Sequence, residues 1–151
     1  MKEEPQIKQT FLFRGEFDLG FLKEYNGFTG FMVLIDCFTH FCWTESIKTK
    51  KKGDVINALK KILKRSGQFD KLQCDGELLF TENVLKERNI YLITKRKSSH
   101  AWMVEGAIRN IKRKLFYIMR QKKSENWPEF LQCKFLIIDG FYKKMSLLQC
   151  D

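Results

Sequence analysis

The order of predicted elements along this chain of 151 residues predicts an α/β fold with helices on both faces of a mixed sheet. Three strand-like segments come first, joined by turns short enough for an antiparallel meander. Helical and strand-like segments alternate after them, as they do where a sheet is extended by crossover connections. We therefore expect the order β-β-β-α-β-α-β-α-α and a sheet of five strands.

Apolar and aromatic runs predict the three strands of the meander. Residues 11–19 contain enough aromatic and apolar side chains for a strand, and the dipeptide Asn26-Gly27 is a strong hairpin signal. A continuous apolar run over 31–35 predicts a buried strand that Asp36 ends, and residues 40–47 predict the third strand.

Helical periodicity and two further apolar runs predict the remaining elements. In the first helix, Asp54 is expected to be the cap and Gly67 to end the helix, while the apolar face repeats at helical spacing. The other predicted elements are a strand over 71–75, a short helix over 82–88, a strand over 90–94, a long helix over 101–121 and a last helix over 129–142.

One ordinary domain accounts for the chain, since the hydrophobic fraction of 44% is enough for a core and no linker or repeat is visible. We expect a frayed segment over residues 1–9, a core domain over 10–145 and a tail over 146–151.

The net charge of +10 favours an anionic partner. Nucleic acid is the first candidate, with an acidic membrane surface or plain solubility behind it. The sequence has no apolar run near the roughly 20 residues that span a bilayer, and no secretory leader opens it. We expect no membrane partner and no secretion.

Cysteine usage favours a reducing compartment. The five cysteines are scattered, none forms a Cys-x-x-Cys pair, and only two histidines accompany them. Such a pattern predicts neither a zinc module nor a disulfide framework. Buried thiols that fill the core are the expected alternative.

Three acidic residues are candidates for a shared site. Asp18 is expected to end or interrupt the first strand, and Asp75 closes the fourth, at the strand ends where open α/β sheets bind ligands. Glu105 lies about 100° around the long helix from Val104, at the edge of its buried stripe. Acids within a basic chain suggest metal-assisted phosphoryl chemistry, and their hard oxygen ligands favour Mg²⁺ or Mn²⁺ over zinc.

Basic residues accompany these acids. Arg109 and Lys112 follow Glu105 by four and seven positions and share its side of the helix, where they could hold a phosphate. Each acid alone has a simpler explanation, as a turn former, a helix cap or a solvated surface residue. The lysines of the turn over 48–52 likewise fit a solvated turn.

The stretch from Asp18 to about Leu131 resembles the catalytic core of retroviral-type integrases, closest to those of retrotransposons and Polinton-like DNA transposons. The matching segments are FDLGFLKEYNGFTGFMVLIDCFTHFCW, SIKTKKKGDVINALKKIL, KLQCDGELLF, AWMVEGAIRNIKRKL and the late WPEFL.

The resemblance implies an RNase H-like fold and a triad of Asp18, Asp75 and Glu105 that binds two Mg²⁺ or Mn²⁺ ions, with no zinc. Asp36 corresponds to a family position that is commonly Asp without being a ligand. The resemblance also implies DNA as partner, in the form of transposon ends and target, together with a homo-oligomer in the nucleus or in a viral or transposon particle. The residues expected to contact DNA are Lys50, Lys95, Arg96, Lys97, Arg109, Lys112 and Arg113.

Three functions remain open at this point. The first is an integrase-like core that cleaves and transfers DNA strands with divalent metal. The second is a domesticated or degenerate relative that binds DNA or a protein partner without catalysis. The third is an RNase H-type hydrolase of RNA–DNA hybrids. It is disfavoured by the features of the long helix that carries Glu105 and the basic residues after it.

Overall fold

The computed structural model describes residues 11–94 and 102–131, and within them a single sheet in the order β3-β2-β1-β4-β5. The strands are β1 (Phe11–Tyr25), β2 (Phe28–Asp36), β3 (Cys42–Ile47), β4 (Gln68–Cys74) and β5 (Tyr91–Thr94). The helices are α1 (Lys52–Arg65), α2 (Glu82–Glu87), α3 (Trp102–Lys122) and α4 (Trp127–Phe130), and a 3₁₀ turn (Gly76–Thr81) precedes α2.

Strand β1 lies at the centre of the sheet, antiparallel to β2 and parallel to β4. It continues well beyond the predicted 11–19, so Asp18 lies inside the strand rather than at its end. The reason is the long pairing with β2, in which Asp18 faces Val33 and the ladder extends to the turn. There Asn26 and Gly27 adopt positive φ angles of 50° and 84°, as the hairpin signal predicts.

Two apolar clusters bury the two faces of the sheet. Helix α1 covers one face, where Phe17 and Leu59 are fully buried. Helix α3 covers the other, where its residues Ile111 and Leu115 pack with Phe31 and Val33 of β2. The predicted mixed sheet with helices on both faces is confirmed, and this strand order is that of an RNase H-like fold.

The first helix begins earlier than its sequence suggests. Lys51 occupies the cap position without a side-chain cap bond, and Asp54 lies in the first turn, where its carboxylate accepts a hydrogen bond from Thr49. The helix ends at Arg65 with Ser66 as its C-terminal cap, so the predicted roles of Asp54 and Gly67 were wrong. An acid inside the first turn still stabilises a helix, because it faces the positive end of the helix dipole.

Helix α4 closes the described part of the chain. Asn126 caps it, and the indole of Trp127 donates from Nε1 to the carbonyl of Lys23 at 2.8 Å. This bond fastens the chain after α3 to the end of β1. The predicted last helix over 129–142 lies mostly outside the described residues, as do the segments 1–9 and 146–151.

Two of the three described cysteines have the expected core-filling role, whereas Cys37 is half-buried in the turn between β2 and β3. Cys42 and Cys74 are buried, and burial raises the pKa of each thiol to about 12. Within the described residues, Cys37, Cys42 and Cys74 form no disulfide. None of the helices in the described ranges is long and apolar enough to cross a bilayer.

Candidate active site

The parallel pairing of β1 with β4 aligns two of the three predicted acids. In that register Glu16 lies opposite Gln73. If the same register is continued by two residues, Asp18 lies opposite Asp75, the residue that directly follows β4. Residues two apart on a strand point to the same face. Both carboxylates therefore belong to the sheet face that α3 covers.

A glycine in β1 lets α3 approach that face closely. A Cβ atom at Gly20 would lie 2.9 Å from Cγ2 of Ile108 and 2.9 Å from Cζ of Phe31, which is closer than side-chain carbon atoms pack. Glu105 precedes Ile108 by one helical turn, and Asp18 precedes Gly20 by two residues on the same face. The absent side chain at Gly20 thus brings the first turns of α3 beside Asp18.

The pKa of Asp18 depends on both of the other acids. Its pKa is raised from 3.8 to about 6, first because burial disfavours the charged form. The negative charge of Asp75, a hydrogen bond with the Asp75 side chain and the charge of Glu105 raise it further. A bond of 2.8 Å from the amide of Leu19 opposes these effects. The charges of Asp75 and Glu105 therefore both act on Asp18.

Replacement of Asp18 by asparagine is expected to stabilise the metal-free protein. The folded state binds the Asp18 proton more tightly than the unfolded state, so wild-type stability falls as pH rises from 3.8 through about 6. The shift corresponds to at most about 3 kcal/mol, and partial solvation of this half-buried group reduces the cost to about 1 kcal/mol. We expect Asp18→Asn to raise the melting temperature in EDTA at pH 8 by several degrees.

That gain should disappear near pH 4, where the wild-type carboxyl is protonated in the folded state. Thermal unfolding at the two pH values, followed by circular dichroism, measures the difference. A variant that is less stable than wild type at pH 8 would show that the acids around Asp18 impose no cost.

A second polar layer lies below the carboxylates, and sequence reasoning missed it. Glu16 and Gln73 are buried side by side, and the guanidinium of Arg14 donates to Oε1 of Gln73. The signal was present in the alternation of Arg14, Glu16 and Asp18, which puts three charged side chains on one face of a strand. These residues support the strand positions from which Asp18 and Asp75 project.

Asp36 has a structural role in the turn between β2 and β3. It is buried, and its carboxylate accepts hydrogen bonds from the amide of Phe38 at 3.3 Å and from the amide and hydroxyl of Thr39 at 3.1 and 2.6 Å. The turn thus occupies both of its oxygens.

The predicted DNA-binding residues fall into three groups. Arg109 and Arg113 are exposed on α3, and Lys112 is half-buried beside them. Lys50 lies in the turn before α1, with its ammonium 4.2 Å from the ring centre of Phe21. The remaining three, Lys95, Arg96 and Lys97, lie outside the described residues.

The chemistry of the three acids fits a hard divalent cation, because carboxylate oxygens are the ligands that Mg²⁺ and Mn²⁺ prefer. Burial is the main cause of the raised pKa of Asp18, and a bound cation would relieve the repulsion by Asp75 and Glu105 that adds to it. Within residues 11–94 and 102–131, however, no three His, Cys, Asp or Glu side chains stand close enough to enclose an ion. The hydrogen bond involves only Asp18 and Asp75, whereas Glu105 affects Asp18 through its charge, which acts over longer distances than a coordination bond reaches.

Gly106, next to Glu105, offers a test of helix stability at the site. A Cβ atom at this position would meet nothing within 4 Å, so alanine fits without strain. Glycine inside a helix costs about 1 kcal/mol relative to alanine. We expect Gly106→Ala to raise the free energy of unfolding by about 0.5–1 kcal/mol in urea denaturation, and a loss of stability would contradict this placement.

Comparisons with known proteins found a similar structure but no similar sequence. No protein-family model and no curated protein matches the sequence. A chain of the simian T-cell lymphotropic virus intasome, solved by cryo-electron microscopy in complex with PP2A regulatory subunit B56 gamma, superposes with a TM-score of 0.69 at 15% sequence identity. The match covers 80% of this chain and 46% of that chain, so this chain spans less than half of its length. At that identity the likeness shows the fold alone.

Proposed function

We propose that this chain is an integrase-like catalytic core that cleaves and transfers DNA strands with the help of divalent metal. Asp18, Asp75 and Glu105 are the proposed metal ligands. The observation that carries the proposal is the raised pKa of Asp18, because part of the rise comes from the charges of the other two acids. Strongly perturbed carboxyl groups of this kind are concentrated at functional sites.

Each residue has a defined task in this mechanism. Above its pKa of about 6, Asp18 is ionised and can bind a cation together with Asp75 and Glu105. When bound, Mg²⁺ or Mn²⁺ supplies positive charge that activates the attacking oxygen and stabilises the leaving oxygen of the phosphodiester. Arg109 and Lys112 hold the DNA phosphates on the side of α3 that carries Glu105.

The proposed partners are the DNA ends of a mobile element and the target DNA, acted on by a homo-oligomer. The net charge of +10 supports an anionic partner, and the similar solved chain belongs to an intasome. The compartments we propose are the nucleus of a host cell or a viral or transposon particle.

One observation favours a second candidate, a relative of such enzymes that binds DNA or a protein without catalysis. The described acids do not enclose an ion as they stand. An active enzyme would have to rotate the three carboxylates toward a cation, whereas a binding domain would have no such need.

Strand cleavage distinguishes the two candidates. We expect the purified protein to nick or join a labelled DNA duplex in Mn²⁺ and to do neither in EDTA. Failure in Mn²⁺ together with metal-independent DNA affinity would favour the binding domain. That affinity should fall with salt, because phosphate contacts release counterions. An interaction insensitive to salt would instead indicate a protein partner.

A further inference from the structure

The outer face of α3 combines exposed aromatic rings with arginines. Trp102 is 70% exposed, and Phe116 and Tyr117 are 49% and 50% exposed. At 100° per residue, these three side chains and those of Arg109, Arg113 and Arg120 lie within one arc of about 100° on the helix surface. They form a single track, which covers about 27 Å from Trp102 to Arg120 at 1.5 Å per residue.

This track begins at the candidate active site. Trp102 precedes Glu105 by one helical turn, and Arg109 follows it by one turn. At the other end, Phe116 and Arg120 line a groove of about 440 Å³ whose other walls include Met119 and Trp127. That volume lies within the range of pockets that hold small organic ligands.

The track carries an excess of positive charge from its arginines. Within residues 11–94 and 102–131, none of the ion pairs involves Arg109, Arg113 or Arg120. Glu125, near the far end, is paired with Lys23 at 3.8 Å, and Glu24 accepts a hydrogen bond from the amide of Gly27. The arginines are therefore available to an anionic ligand.

We propose that this track binds single-stranded nucleic acid, with bases stacked on Trp102 and Phe116 and phosphates held by the arginines. Every base offers a flat face to an aromatic ring, and the backbone offers a regular row of negative charges. A duplex offers the phosphates but keeps its base faces stacked inside. The track would lead a displaced strand toward the carboxylates and it includes Arg109, which the proposed function also uses. In these two respects the inference rests on the proposed function.

Two kinds of variant give different signatures in fluorescence anisotropy with labelled dT12 in EDTA. We expect Trp102→Ala and Phe116→Ala each to weaken binding about 10-fold without changing its salt dependence, because stacking contributes about 1–3 kcal/mol per base. Arg113→Gln should instead reduce the slope of log K against log salt by about 0.7, the value for one phosphate contact on a single strand.

The matched control is Phe38→Ala, since Phe38 is 91% exposed, lies in the turn between β2 and β3 and is not part of α3. It should bind dT12 as wild type does, and circular dichroism should show all variants folded. A 12-base-pair duplex should bind more weakly than dT12 and show no dependence on Trp102.

Equal affinities of wild type, Trp102→Ala and Phe116→Ala for dT12 would overturn the proposal. If those two variants instead changed only the sedimentation behaviour, the track would be an interface between copies of this chain, which also overturns it. Because binding is measured without metal, loss of the proposed strand cleavage would leave this result unaffected.

Discussion

Asp75→Asn and Glu105→Gln are each expected to abolish Mn²⁺-dependent DNA strand cleavage while the protein remains folded. Loss of a residue that merely orients a metal ligand costs about 10–100-fold in metal affinity or activity, so loss of a ligand itself should cost at least about 100-fold. Both residues are exposed, and neither packs in the core. The measurement is the initial rate of nicking of a labelled duplex, with thermal unfolding as the test of folding.

Glu77→Gln is the matched control for this experiment. Glu77 is an exposed acid in the 3₁₀ turn directly after Asp75, and it is not among the groups that shift the pKa of Asp18. We expect it to keep full activity. Unchanged cleavage in both Asp75→Asn and Glu105→Gln would remove these residues from the mechanism and leave a binding domain as the better explanation.

Gly20→Val is expected to lower both stability and cleavage activity. A side chain at this position collides with Ile108 and Phe31, so α3 must move away from β1. Overpacking of this kind costs about 1–3 kcal/mol. Because Glu105 lies one turn before Ile108, the same displacement would separate Glu105 from Asp18 and weaken the proposed metal site.

A double variant tests the physical cause. Ile108→Ala removes the Cγ2 atom that the new side chain would strike, so Gly20→Val with Ile108→Ala should recover part of the lost stability. Urea denaturation of the two single variants and the double variant gives the coupling energy between these neighbours. Strictly additive effects would show that contact with α3 is not what makes glycine necessary at this position.

Much of the fold was predictable because its signals are local. Apolar runs and the Asn26-Gly27 turn located the strands of the meander, and helical periodicity located α3 to within one residue at each end. The end of β1 was not predictable in the same way. Its residues after Asp18 are held in the strand by pairing with β2, which depends on distant parts of the chain.

The candidate site shows the same division. The sequence identified Asp18, Asp75 and Glu105 as acids of interest, and the resemblance to integrases gave them roles that are still predictions. It did not reveal Gly20 as the point where α3 approaches β1. Nor did it reveal the layer of Arg14, Glu16 and Gln73, because neighbouring strands bring these residues together across more than fifty positions of sequence.

The sequence by itself determined the fold class, the number of strands in the sheet, the basic character of the surface and the identity of the three candidate acids. Only the tertiary structure decided that β1 pairs in register with β4 and that α3 packs against Gly20. These two contacts bring Asp18 within the electrostatic influence of Asp75 and Glu105. The physical reason is that periodicity and turn chemistry act over a few residues, whereas the raised pKa of Asp18 arises from burial and charges contributed by separate elements.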